Sequence, residues 1–248
     1  MKKIKNSVPK HIAIIMDGNR RWAKKNKLKV FRGHEIMVRE KLELLIDACV
    51  DKDIEYLTLW AFSTENWKRN KVEVTVLMNL FRELFDKHAP RLHAKGIKIE
   101  TIGDMTRFDK DIQKNISKWK EVTENNKSIA LVLAINYGGR DEVVRAVNHL
   151  LEDIDTDKIK LKQHDVSHSG RKWLITEEFF NKYLDTSKFP NPDLIIRTSG
   201  EQRMSGFLSW SGSYSEYIFT KTLMPDFDEK TLDQALEELS KRKRRFGK

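Results

Sequence analysis

Four apolar runs in this 248-residue chain each end in a cluster of side chains able to bind or move charge. The first closes on Asp17-Gly-Asn-Arg-Arg-Trp22 and the second on Ser63-Thr-Glu-Asn-Trp-Lys-Arg69. Two later ones close on Asn136-Tyr-Gly-Gly-Arg140 and Arg197-Thr-Ser-Gly-Glu-Gln-Arg203. Arginine meets phosphate oxygens bidentately, and small hydroxyls and free helix N–H groups complete such a site. One cluster alone is ordinary loop chemistry, whereas four at corresponding ends of successive runs point to a phosphorylated ligand. His34, opening a helix after Arg32-Gly33, offers its ring to the same phosphate. His164 and His168 have no neighbouring carboxylate motif and read as solvated rather than as metal ligands. Neither G-x-x-x-x-G-K-[ST] nor a strand-following G-x-G-x-x-G occurs, which disfavours the nucleotide-binding folds.

Hydrophobic periodicity defines the elements that must hold these clusters. His11-Ile-Ala-Ile-Ile-Met16 is apolar without alternation, the mark of a strand buried on both faces. Further strands are predicted over Tyr56 to Phe62, Lys98 to Ile102, Ser128 to Ile135, Pro192 to Arg197 and, shorter, Tyr217 to Thr220. A helix is predicted after the Asp17-Gly18-Asn19 turn, another over His34 to Val50, and a long one over Val72 to Lys95 with a bend at Pro90. Others span Asp109 to Asn125, Asp141 to Leu151 and Thr176 to Tyr183, and the last runs from Asp228 into the basic end Lys241 to Lys248. Glu152 to Lys172 reads as a polar surface connection. Strands alternating with helices specify an α/β fold: a single domain with a central, mainly parallel sheet of about six strands flanked by helices. Ligands of such sheets bind beyond the carboxyl ends of the strands, where the clusters fall. The expected organisation is a basic extension over residues 1–10 and one domain over 11–248.

Composition bounds the possibilities further. Hydrophobic residues at 39% and charged residues at 34% exclude a disordered or collagen-like chain. Cys49 stands alone, which excludes a disulfide scaffold and a cysteine-based zinc site and fits a reducing cytoplasm. The run Ile12 to Met16, broken by Asp17, is too short for a signal-peptide core, and no segment approaches the ~18 apolar residues of a membrane span. Forty-seven Lys and Arg against 37 Asp and Glu give a net charge of +10. That charge suits nucleic acid, an acidic lipid surface or a phosphorylated small molecule without choosing among them.

Met16-Asp-Gly-Asn-Arg-Arg-Trp22, Gly33-His34, Phe62-Ser-Thr-Glu-Asn-Trp67, Asn136-Tyr-Gly-Gly-Arg140 and Arg197 to Arg203, followed by Trp210 and Tyr214-Ser-Glu216, resemble in this order the cis-prenyltransferases. The resemblance runs from His11 to Gly247. It implies a homodimeric enzyme that condenses isopentenyl diphosphate repeatedly onto an allylic diphosphate, creating Z double bonds. The implied product is a long-chain polyprenyl diphosphate, with a shorter chain as the alternative. The resemblance further implies Mg²⁺ held by Asp17 and by Glu216 from the partner region. The allylic diphosphate falls to Gly18, Asn19, Arg20, Arg21, Trp22 and His34, with Ser63, Thr64, Glu65, Trp67 and Arg69 opposite. Isopentenyl diphosphate falls to Arg197, Arg203, Met204 and Ser205. Asp17 and Asn66 are the implied catalytic residues, Asn66 assisting proton removal. A neutral amide is a very weak base, so positioning by Asn66 with a phosphate oxygen taking the proton is physically easier.

The paired D-D-x-x-D motifs of the all-helical prenyltransferases are absent. Val30 stands where members often carry arginine, leaving Lys29 or Arg32 to supply the charge; Gln202 replaces a histidine; Ser211-Gly212 follows Trp210. Arg245-Phe-Gly247 matches a tail that closes over the adjoining subunit's site. Ala61, Val76, Leu80, Leu84 and Leu131 are candidates for a product tunnel. Peripheral membrane contact during product release is expected, and nucleic acid is not an expected partner, because the tryptophans are dispersed rather than forming a stacking platform. A non-catalytic accessory subunit should lack the metal carboxylates, which are both present.

Overall fold

A computed structural model describes residues 8–159 and 175–242. Most of the basic extension, the His164/His168 pair, residues 160–172 of the polar connection and the Arg245-Phe-Gly247 tail lie outside the described residues. The strands are β1 (His11–Ile15), β2 (Tyr56–Ser63), β3 (Ile97–Ile102), β4 (Ile129–Tyr137), β5 (Leu194–Arg197) and β6 (Glu216–Phe219). They form one sheet in the order β3-β4-β2-β1-β5-β6. Every pairing is parallel, so their carboxyl ends share one edge. The helices are α1 (Asn19–Lys25), α2 (Arg32–Ile36), α3 (Leu42–Val50), α4 (Lys71–Glu83), α5 (Ala89–Ala94), α6 (Lys110–Val122), α7 (Gly139–Asp155), α8 (Glu177–Asn181) and α9 (Glu229–Ser240).

Side chains alternate across the sheet. Ile12, Ile14, Leu57, Leu59, Leu133 and Ile196 enter the larger core, packed with residues of α3 to α6 and α9. Ala13, Ile15, Val132, Ala134 and Ile195 enter a smaller one with Tyr137, Phe207 and Leu208. Among the described residues, no helix is long and apolar enough to cross a membrane.

Two of the predicted helices are each interrupted. α2 and α3 are joined by a π-helical turn over Met37–Lys41, and α4 and α5 by another over Leu84–His88. The irregularity lies just upstream of Pro90, where a bend was expected, and Pro90 sits in the first turn of α5, where its missing N–H needs no acceptor. The two π turns lie side by side. Arg39 forks onto Glu83, with Nη2 donating to Oε2 at 2.8 Å and Nε to Oε1 at 3.1 Å, and His88 Nδ1 lies 2.8 Å from Glu43 Oε1.

At the opposite edge of the sheet, buried His11 ties three segments together. Its Nδ1 lies 2.6 Å from Pro190 O, and its Nε2 lies 2.8 Å from Thr58 Oγ1. A carbonyl only accepts, so Nδ1 carries the proton and Nε2 accepts from the hydroxyl. Burial pushes the His11 pKa down to about 4, against the opposing pull of the Pro190 bond and the Asp193 charge.

Candidate active site

β1 ends at Ile15, and Asp17, Gly18 and Asn19 turn the chain into α1. Gly18 has φ 100°, and a Cβ there would lie 2.9 Å from Leu223 Cδ2 and 3.0 Å from Ser199 Cβ, so glycine fits where a side chain would not. Asn19 Nδ2 donates to Met16 O at 2.9 Å. Because that carbonyl only accepts, the amide's orientation is set, and Asn19 Oδ1 is left buried without a hydrogen-bond partner. α2 packs so close to this turn that a Cβ on Gly33 would meet Asn19 O at 2.2 Å. The next residue, His34, also has an unpartnered buried Nε2. Burial, followed by the charges of Arg69 and Arg20, pushes the His34 pKa down to about 3, so the ring is neutral at pH 7.

Asp17 is the centre of a charge network. Its Oδ1 accepts from Gly18 N–H at 2.7 Å, its Oδ2 accepts from Arg197 Nη2 at 2.8 Å, and Arg21 Nη2 lies 3.6 Å from Oδ1. Burial disfavours the ionised form, but these hydrogen bonds and charges outweigh it and hold the carboxyl below the usual carboxylate range. A cavity of about 330 Å³ opens beside it, lined by Asp17, Gly18, Asn19, Arg20, Arg21, Lys24, His34 and Arg69. Four cations on its wall make this an anion site. Asn19 and His34 also line a second cavity, of about 60 Å³, whose other walls are Met16, Met37, Val38, Leu42, Leu59, Ala61, Leu77, Leu80, Phe81, Leu84 and Leu133. An anionic head and a hydrocarbon tail thus have adjoining compartments. Of the expected tunnel residues, Ala61, Leu80 and Leu84 are in this wall. Val76 and Leu131 are not; Leu131 points the same way as Leu133 but lies two residues nearer the amino end of β4, inside the solid core.

The cation expected to compensate for Val30 is elsewhere: Arg32 pairs with Glu35 at 2.7 Å, and neither it nor Lys29 lines the anion site. Lys24, which sequence reasoning passed over, does. Glu73 was missed as well. It is buried and holds Arg69 Nη1 at 2.7 Å, with Arg20 Nε 3.8 Å from the same oxygen. The Arg69/Glu73 spacing of four, just after the Asn70 cap, was the available signal. Trp22 turns away from the cavity and donates to Asp226 Oδ1 at 2.6 Å.

β2 runs into a 3₁₀ turn over Thr64–Lys68. Ser63 and Asn66 cap it reciprocally: the Ser63 side chain receives the Asn66 N–H, and Asn66 Oδ1 accepts from Ser63 N–H at 3.1 Å. Trp67 Nε1 donates to Asn136 Oδ1 at 2.8 Å, and Asn136 Nδ2 donates to Asp104 O at 2.8 Å, so Asn136 clamps the turn to the loop after β3. Thr64 and Glu65 face a third cavity, of about 750 Å³, shared with Gly138, Gly139, Arg140, Met204 and Ser205.

Arg197, at the end of β5, links the two sides. Its Nη2 reaches Asp17, its Nη1 donates to Ser205 Oγ at 2.8 Å and to Arg203 O, and its Nε is buried with no acceptor. Arg203 is exposed and pairs with Glu201. Glu216 is not brought to Asp17 within the chain. It opens β6 in register with Leu194, three residues before the level of Arg197, which at ~3.3 Å per residue is about 10 Å along the strand. Its Oε2 accepts instead from Arg242 Nη1 at 2.9 Å. In the Ser211-Gly212 departure, a Cβ on Gly212 would meet Leu208 O at 2.7 Å, so the small residue closes that loop.

Comparison with known proteins matches this architecture along its whole length. The family model described as putative undecaprenyl diphosphate synthase matches residues 15–247. An isoprenyl transferase of Clostridium perfringens is 43% identical over 244 residues, covering 98% of this chain and 92% of its own. The ditrans,polycis-undecaprenyl-diphosphate synthase ((2E,6E)-farnesyl-diphosphate specific) of Micrococcus luteus is 42% identical, covering 99% of this chain and 96% of its own. Among solved structures, lavandulyl diphosphate synthase from Lavandula x intermedia, in complex with dimethylallyl diphosphate, superposes with a TM-score of 0.88 at 33% identity, covering 98% of this chain and 100% of that one. A probable undecaprenyl diphosphate synthase from Campylobacter jejuni gives 0.75 at 30% identity, with 97% and 99% covered.

Proposed function

The chain belongs to the undecaprenyl diphosphate synthase family of prenyltransferases, and on that footing we propose that it adds isopentenyl diphosphate repeatedly to an allylic diphosphate, with Z geometry, to give a long-chain polyprenyl diphosphate of the undecaprenyl class. The observation that carries this reading is the anion site opening through Asn19 and His34 into an apolar cavity. As the allylic C–O bond breaks, charge grows on the departing diphosphate. Arg20, Arg21, Lys24 and Arg69 meet it, together with the first-turn N–H groups of α1, which have no helical acceptors. Neutral His34 offers a hydrogen bond there without adding charge. Isopentenyl diphosphate is received by Arg197, Arg203 and Ser205, the buried Nε of Arg197 supplying an N–H still without an acceptor. Charge-assisted contacts of this kind contribute about 1.5–3 kcal/mol each. The new C–C bond forms from the isopentenyl double bond to the allylic carbon, and a proton is lost. Asn66 Oδ1 is occupied by Ser63 N–H, so Asn66 shapes the turn while a diphosphate oxygen takes the proton.

The residues present fit Mg²⁺. Asp17 provides hard carboxylate oxygens, and Asn19 Oδ1 is an unpaired acceptor beside cations, suited to a donor such as metal-bound water. When bound, the ion neutralises charge on the leaving group. Glu216 of the partner subunit is the second carboxylate, a reading supported by the separation of Asp17 from Glu216 within one chain. A homodimer is further supported by the exposed stripe Val144, Val147 and Leu151 on α7.

A shorter product is the second reading, and the apolar cavity favours it: about 60 Å³ is far below the ~300 Å³ at which ordinary ligand pockets begin. A long chain requires the walls to part. Radiolabelled isopentenyl diphosphate offered with three primers of increasing length, and products resolved by size, decides between them. Long products from any primer support the main reading, a single addition supports the second, and no incorporation overturns both.

A further inference from the structure

The rim of the anion site carries lysines that no carboxylate answers. Lys25, the last residue of α1, follows pocket-lining Lys24, Lys27 and Lys29 lie in the connection to α2, and Lys68 and Lys71 stand either side of pocket-lining Arg69 just before and at the start of α4. The two stretches adjoin: Arg20 on α1 lies 3.8 Å from Glu73 on α4, the same carboxylate that holds Arg69. Among the described residues these rim lysines are exposed and form no ion pair; Lys110, Lys114 and Lys127 are equally unpaired but line no part of the anion site, and Lys52, Lys95 and Lys241 are each held by carboxylates at 2.7–2.9 Å. Bare apolar side chains stand between them, with Leu28 41% and Val72 66% exposed.

We infer that this collar seats the protein on an anionic lipid bilayer, with phospholipid head groups against the lysines and Leu28 and Val72 in the interface. The inference rests on the reading of the product as a lipid diphosphate, since these lysines adjoin in sequence the Lys24 and Arg69 that line the head compartment. A phosphate-rich surface alone rewards the lysines. Only a surface with hydrocarbon beneath the charge also rewards Leu28 and Val72. A single-stranded nucleic acid would call for exposed aromatic rings as stacking platforms, and no exposed aromatic ring stands among these positions.

Sedimentation of the full chain with mixed phosphatidylcholine–phosphatidylglycerol vesicles, and with pure phosphatidylcholine vesicles, tests the inference. Each lysine near an anionic leaflet contributes about fivefold to partitioning, so the triple variant Lys25→Gln/Lys27→Gln/Lys71→Gln should bind the mixed vesicles about a hundredfold more weakly. The triple Lys110→Gln/Lys114→Gln/Lys127→Gln removes the same charge from exposed positions outside the collar and should stay within about fivefold of the parent. Equal losses in the two triples, no loss in either, or equal binding of the parent to both vesicle types overturns the inference. So does binding to random-sequence DNA that is tighter than vesicle binding and lost in the first triple. Turnover with a short primer in detergent, which neither triple should change, reads the enzymatic function separately. Turnover without vesicle binding rejects the collar alone; vesicle binding without turnover rejects the function alone.

Discussion

At the scale of single residues, the site is recognisable by the polar atoms left without partners. Asn19 Oδ1, His34 Nε2 and Arg197 Nε are buried and unanswered, and two of them stand where the anion site meets the apolar cavity. Each such atom costs about 1–3 kcal/mol unless a ligand supplies its partner. Asp17 differs in being fully engaged, and Asp17→Asn keeps an acceptor toward Gly18 N–H while turning its Nδ2 toward the buried Arg197 guanidinium, donor against donor. Turnover should fall by about 10³-fold, and the midpoint of thermal unfolding should fall by about 10 °C with the chain still folded at the assay temperature. Near-normal turnover of this variant at saturating Mg²⁺ would remove Asp17 from the metal site. Arg20, Arg21 and Arg69 were legible from the sequence because they sit in clusters beside strand ends, and His34 because it opens a helix after Arg32-Gly33. Glu73 was not, because its work is to hold Arg69, and a residue that acts through another leaves little trace in a linear pattern; Asn136 was read within a cluster, but its hold on Trp67 was hidden for the same reason.

At the scale of elements, every strand was readable: the inner strands β1, β2, β4 and β5 are the apolar runs of a parallel sheet covered on both faces, and the edge strands β3 and β6 carry polar residues among apolar ones. The helices were readable in place but not in continuity: the pattern of Val38, Leu42 and Leu45 persists through a π turn that only the backbone reveals. The close approach of α2 to α1 at Gly33 was likewise hidden, because a glycine before a histidine does not announce what it touches. The amino edge of the sheet has its own test. His11 has a folded pKa of about 4 against an ordinary 6.5, so the unfolded chain binds more protons between these values. Its contribution to stability is complete above pH 6.5 and is lost as the pH falls toward 4. The stability difference between the parent and His11→Gln, measured by urea unfolding, should shrink by about 3 kcal/mol across that window, and a difference independent of pH would show that the ring is not held neutral.

At the scale of the molecule, the parallel sheet puts Asp17 and Glu216 at opposite edges, and in the proposed homodimer the site would be a property of two chains. Asp17→Ala and Glu216→Ala homodimers should each be inactive, whereas an equimolar mixture, unfolded and refolded together, should recover about a quarter of the parent's turnover. Half of the dimers are then mixed, and each mixed dimer regains one complete site of two. No recovery would place both carboxylates in one chain. Product length is also a property of the whole molecule, and the paired π turns bear on how it changes over generations. Each is a regular helix carrying one surplus residue, so a single-codon deletion within Met37–Lys41 or Leu84–His88 restores an ordinary helix and leaves the flanking faces aligned. A lineage built on this scaffold therefore has a one-step route to a differently sized cavity, with no need to redesign the core on either side of it.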